Sequence, residues 1–319
     1  MLGRKFGLTL AGMCLATSFT AAHAQWPERP ITIYVPYSAG GGTDATARFF
    51  AAGLKKELGV PVNVVNRTGA NGLTGHAATA NAKPDGYSIG LIAQAIGLYI
   101  HQGQKVSYRS LTPLALFNFD PAGFQVGPSK AHLKTANDVL ADMKKNPETW
   151  TLGGGGRMGS WGMAWTKLSI AAGIEAKKTV WIATGGAAPS LTELAGGGID
   201  MAPTSLPEAK GLIDAGKIRA LAVMGEKRHP LFPDVPTMKE ATGHNVVAGA
   251  WRAVAAPAGI PADIREKLVK ALRTVWETKT FEDGMKKFGY GMEWMQGEKL
   301  QQFLVDNEKS VLAILNASK

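Results

Sequence analysis

Residues 31–48 read ITIYVPYSAGGGTDATAR, and this stretch decides the fold. Ile31, Ile33 and Val35 alternate with Thr32 and Tyr34, the period-two pattern of a strand with one buried face. Pro36 stops the run, Gly40–Gly42 follow without side chains, and Thr43 or Asp44 stands where a helix cap is needed. Phe50, Leu54 and Leu58 then recur every fourth residue and give that helix one apolar face. A strand feeding a glycine loop at a helix start leaves backbone N–H groups unpaired and directed outward. Such an end attracts anions.

The pattern repeats. Val62–Val65 is a second strand, Gly69–Gly72 a turn, and the small residues from Leu73 to Ala80 suit a helix packed closely on a sheet. Lys83–Tyr87 turns the chain and Ser88–Ala93 is a third strand. Strand–helix alternation with short links predicts an α/β fold with a doubly wound parallel sheet. After a strand over Leu114–Phe119, Asp120-Pro121 and Gly123–Gly127 lead into a second unit of the same kind. Its helices fall at Leu140–Lys145, Trp161–Ala172 and Ser190–Ala195, and its strands at Trp150–Leu152, Thr179–Ala183, Gly198–Ala202 and Ile218–Val223. Two more glycine loops, GGGGRMGS (153–160) and TGGAAPS (184–190), precede helices there. Asn245–Ala256 is strand-like, Ala262 to Lys279 helical, and an amphipathic helix covers Glu298–Leu315. Crossings near residues 120 and 248 predict two lobes around a cleft, 25–122 with 249–319 and 123–248, with the loops facing each other.

The first 24 residues read as a cleaved export signal. Arg4 and Lys5 precede an apolar run from Phe6 to Phe19, and Ala22-His23-Ala24 offers a small-x-small cleavage site. The run is shorter than the roughly 20 residues of a membrane span. Cys14, the one cysteine, would leave with the signal. The mature chain then has no disulfide, thiolate nucleophile or cysteine-held metal. Removing Arg4 and Lys5 takes the 35 basic residues to 33 against 25 acidic, a net charge of +8. The Lys and Arg are scattered with no run of five, which argues against a nucleic-acid partner and for a basic surface that steers small anions.

Catalytic patterns are sparse. Gly154-x-Gly156-x-x-Gly159 matches a dinucleotide fingerprint, but Glu175, at about the right separation for a ribose-binding acid, precedes the next strand rather than ending it. Ser160 has Met158 where a nucleophile elbow needs glycine. His76, His101, His132, His229 and His244 are dispersed, without a zinc-binding pair. No cofactor or metal is expected. Asp44 reads as a cap or dipole partner that organises its loop. Arg157, set in a glycine loop, is a candidate to pair with a carboxylate, and Trp161 beside it a candidate pocket wall.

WPERPITIYVPYSAGGGTDATAR, NRTGANG, KPDGYS, the GGGG loop with its helix, GKIRALAV, LFPDVPTMKE and APAGIP occur in this order over nearly the whole mature chain. Together they resemble the tripartite tricarboxylate transporter receptors, the Bug-type or TctC-like solute-binding proteins. The resemblance implies a two-lobed, type II-like periplasmic binding fold, monomeric, that closes on a small organic acid anion and presents it to membrane permease subunits. It also implies a set of ligand-binding positions. In the first lobe these are Tyr37, Ser38, Gly41, Gly42, Thr43, Asp44, Ala70, Asn71 and Gln94. In the second they are Gly156, Arg157, Ser160, Thr184, Gly185, Gly186, Ala187, Thr204 and Ser205, and Trp161 joins the candidate set as the pocket wall read above. Ser160–Met163 and Trp181–Gly185 depart from the common family pattern at this place, so aromatic acids stand beside di- and tricarboxylic acids as expected ligands. An exported hydrolase or transferase on a similar frame is the alternative.

Overall fold

The computed structural model describes residues 26–317; the expected export signal, with Ala22-His23-Ala24 and Cys14, lies outside them. The opening alternation becomes β1 (Ile31–Val35), with Ile31, Ile33 and Val35 wholly buried. Next comes α1 (Gly42–Leu58), which turns Phe50 and Leu54 into the core and ends at Gly59 in the left-handed conformation. Phe50 packs edge-on against Phe117 at 4.8 Å between ring centroids. Truncating such a buried ring costs about 3–5 kcal/mol. β2 (Val62–Asn66), α2 (Leu73–Ala80), β3 (Ser88–Ala93) and β4 (Leu111–Pro121) complete the first run.

The second unit holds β5 (Gly123–Val126), α3 (Ala136–Lys145), β6 (Thr151–Gly153), α4 (Ser160–Ala172), β7 (Val180–Ile182) and α5 (Ala187–Gly196). It continues with β8 (Met201–Ala202), α6 (Leu206–Asp214), β9 (Arg219–Val223) and α7 (Met238–Thr242). The chain then returns through β10 (Gly249–Pro257), α8 (Ala262–Trp276), α9 (Lys279–Phe288) and α10 (Gly297–Ala317). The helix expected to reach Lys279 stops at Trp276. Thr278 starts α9 instead, its hydroxyl accepting the Phe281 N–H at 3.2 Å.

The sheets have orders β2-β1-β3-β10-β4 and β7-β6-β8-β5-β9. In each, three strands are parallel, as strand–helix alternation requires. The fourth runs antiparallel to both neighbours. It is the strand entering directly from the other sheet, and reaching the sheet from that side reverses its direction. Each sheet is therefore mainly parallel, with one strand of the five reversed. The two crossings lie side by side: Ala122 N–H donates to Ala248 O at 2.8 Å, and Ala248 N–H to Met224 O at 3.0 Å. Two apolar cores, one around Ile33, Phe50 and Leu272, the other around Phe124, Trp150 and Trp165, leave a cleft between the sheets.

Candidate functional site

Three helix starts converge on this cleft. Those of α1, α4 and α5 follow Gly41, Gly159 and Gly186, and none of these N-cap residues supplies a side-chain cap. Gly41, Gly42 and Thr43 line the cleft from one side, Gly159, Ser160, Trp161, Gly186 and Ala187 from the other. Gly186 holds φ 146, a conformation that favours glycine, and this lets the loop bend into α5. The starts of α4 and α5 keep unpaired N–H groups and a partial positive charge.

The lobes already touch. Ser38 donates both its N–H and its hydroxyl to Gly185 O at 3.1 Å. The space between them is tight, about 40 Å³ for the centre of a water-sized sphere, enough for a few ordered waters or a few ligand atoms. Asn71 reaches across it from a left-handed turn at φ 56. A Cβ on Gly156 would stand 2.3 Å from Asn71 Oδ1, and one on Gly159 2.8 Å from it. Both amide atoms of Asn71 are buried without a partner. Its carbonyl accepts the Tyr99 hydroxyl at 2.9 Å, so the contact of that hydroxyl with His76 Nδ1, at 2.8 Å, makes Nδ1 the protonated nitrogen. Burial of His76 pulls its pKa down to about 3, which keeps the ring neutral.

Tyr37, Ser38, Gly41, Gly42, Thr43, Asn71, Gly156, Ser160, Trp161, Gly186 and Ala187 are brought together in the cleft. Burial pushes the Tyr37 phenol up to about 12, so it stays a donor. The remaining sequence candidates lie elsewhere. Asp44 stands behind the first loop, accepting from Gly40 N–H at 3.1 Å, from Arg48 and from Asn66. Burial alone would raise its pKa, but these hydrogen bonds and the Arg48 charge hold it below the usual carboxylate range. Ala70 is exposed on its turn. Gln94 lines a neighbouring cavity, with Nε2 3.9 Å from Met163 Sδ. Thr184 ties two loops together, accepting from Gly155 N–H at 3.0 Å and donating to Gly186 O at 2.9 Å. Gly185 makes the contact with Ser38 just described. Thr204 is buried against Gln125, and the Ser205 hydroxyl donates to Glu208 Oε2 at 3.0 Å.

Arg157 lies outside the cleft lining, beside a separate pocket. Its guanidinium turns away from the cleft and donates to the carbonyls of Thr179, at 3.1 Å, and Ala176. The turn ahead of β7 brings these two carbonyls within its reach, and the Ala176 carbonyl also accepts the Thr179 N–H and hydroxyl, so the guanidinium braces that turn. Two charged residues missed in the sequence line the cleft, Glu208 of α6 and Arg252 of β10. Arg252 was legible as a lone cation inside an apolar strand. For Glu208 the signal was Ser205-x-x-Glu208, a helix-start pattern strengthened by Pro207.

Among the described residues, no group of three or more His, Cys, Asp or Glu could hold a metal ion, and no helix is long and apolar enough to cross a membrane. Two α/β lobes closing on a cleft rimmed by open helix starts define a solute-binding receptor. Residues 46–319 match the Tripartite tricarboxylate transporter family receptor, TctC, and the chain belongs to that family. It is 31% identical over 284 residues to BugT of Bordetella pertussis, which covers 85% of either chain. The structure of the periplasmic binding protein BugD superposes with a TM-score of 0.83 at 30% identity, covering 92% of this chain and 98% of that one. A Rhodopseudomonas palustris protein with adipate superposes with a TM-score of 0.81 at 24% identity, over 92% and 98% of the two chains. That last likeness concerns the fold alone.

Proposed function

We propose that this receptor captures a small organic carboxylate between its lobes and delivers it to the permease subunits of a tripartite tricarboxylate transporter. The observation that carries this is the uncapped pair of helix starts, α4 and α5, facing the unpartnered amide of Asn71. A carboxylate between them would accept N–H groups from one lobe and the Asn71 amide from the other. Contact with both lobes is what makes a ligand favour closure. The adipate-bound relative is in keeping with this ligand class.

In this proposal residues 1–24 are removed at export and the mature protein works in the periplasm as a monomer. Residues 25–122 with 249–319 form one lobe, 123–248 the other, and the paired crossings at Ala122 and Ala248 are the hinge. The protein releases its ligand unchanged. The cleft lining contains no His, Lys or Cys among the described residues.

The test is thermal unfolding of protein stripped of ligand by unfolding and refolding, titrated with aliphatic and aromatic acids. The expected result is a saturable rise in Tm with one class of acid, which is recovered intact. No shift with any acid, or conversion of the acid, would defeat the proposal.

A further inference from the structure

The start of α1 is already occupied. Glu208, carried by α6 from the second lobe, accepts the Gly42 N–H through Oε1 at 2.7 Å and the Ser205 hydroxyl through Oε2 at 3.0 Å. Oε1 accepts a main-chain N–H; burial pushes the Glu208 pKa up, and the Arg252 charge and the Gly42 N–H pull it back. Its side chain is 4% exposed and borders the cleft. The one guanidinium in the lining is shared. Arg252 donates to Asp120 and Asn118 through Nη1 and to Thr43 Oγ1 through Nε at 3.0 Å, while its Nη2 stays 3.6 Å from Glu208. Two buried carboxylates thus share one cation, and this end of the cleft is acidic rather than anion-binding.

We propose that Glu208 sets the ligand class: a monocarboxylate whose other end presents a hydrogen-bond donor, hydroxyl or ammonium, to Glu208. This rests on the receptor reading above. The ligand carboxylate lies at the starts of α4 and α5, where N–H groups are open. Its donor end faces a carboxylate with acceptor sites to spare, since an ionised carboxyl offers about four and Gly42 and Ser205 take two. With Glu208 in its ionised form, held by the Gly42 N–H and the Arg252 charge, a second carboxylate placed there is a like charge, and the mutual repulsion disfavours it. Glu208 therefore attracts one ligand class and rejects another, the two halves of specificity.

The experiment measures calorimetric affinities of ligand-free protein for chain-matched sets of acids, each with a diacid, a hydroxy monoacid and an amino monoacid. Wild type is expected to bind its best hydroxy or amino monoacid at least tenfold tighter than the matched diacid. Glu208→Gln, nearly the same shape without the charge, is expected to cut that ratio at least tenfold, with unfolding followed alongside. Should Glu208→Gln fail to fold, Glu208→Ser replaces it. A diacid that binds wild type as tightly as its matched monoacids, or a ratio unchanged by the substitution, overturns the role of Glu208 and leaves the receptor intact. Absence of binding by every acid overturns both.

Discussion

Asn71 of the first lobe occupies the space a side chain on Gly156 of the second would need, with Asn71 Oδ1 2.3 Å from a Cβ placed there. The two lobes meet at a glycine because the Asn71 side chain stands against the opposing backbone there. Gly156→Ala should therefore hold the lobes apart. Ligand affinity is expected to fall at least tenfold, while Tm moves little, because Gly156 does not need a left-handed backbone. Calorimetry and thermal unfolding of the variant check both halves.

Arg157→Ala should show the opposite pattern. The guanidinium serves the carbonyls of Ala176 and Thr179 and not the cleft. Removing it should lower stability by about 1–3 kcal/mol, as expected when buried hydrogen bonds are lost, and leave affinity within about twofold. Denaturant unfolding with calorimetry separates the two. A large loss of affinity in a stably folded variant would restore Arg157 to the ligand.

Arg252 anchors the charge cluster, with Asp120 and Glu208 depending on it. Arg252→Met would leave two buried carboxylates uncompensated. Breaking a buried pair in this way costs about 3–5 kcal/mol. Denaturant midpoints of the variant should fall accordingly, and adding Asp120→Asn should recover part of the loss.

Stability should depend on pH through His76. Its folded pKa is lowered by burial from 6.5 to about 3, so the unfolded chain takes up the proton first. The contribution is complete above pH 6.5 and is lost progressively as pH falls toward 3. Replacing His76 by Gln should flatten the Tm profile across that window, and an unchanged slope would show that other groups set it.

Much of this was legible in the chain. The alternation of Ile31, Ile33 and Val35 and the four-residue spacing of Phe50, Leu54 and Leu58 are local, and local patterns fix elements wherever the core agrees with them. The glycine loops at 40–42, 153–156 and 185–186 marked the cleft, because helix starts need no distant partner to be open. What escaped was the destination of charged side chains. Arg157 and Arg252 look alike as lone arginines, yet one braces a turn and the other is buried beside the cleft. The difference lies in carbonyls and carboxylates brought near by tertiary folding. Glu208 followed Ser205 at the spacing of a capping box, but its carboxylate bridges from Ser205 at its own helix start to the Gly42 N–H on the other lobe. No spacing in the sequence encodes that contact.

The most direct test is a crystal structure of the protein with the acid that stabilises it. The account predicts a carboxylate within hydrogen-bond distance of the helix starts at Ser160 and Ala187 and of the Asn71 amide, bridging the lobes. A carboxylate bound to one lobe only, or seated outside this cleft, would contradict it.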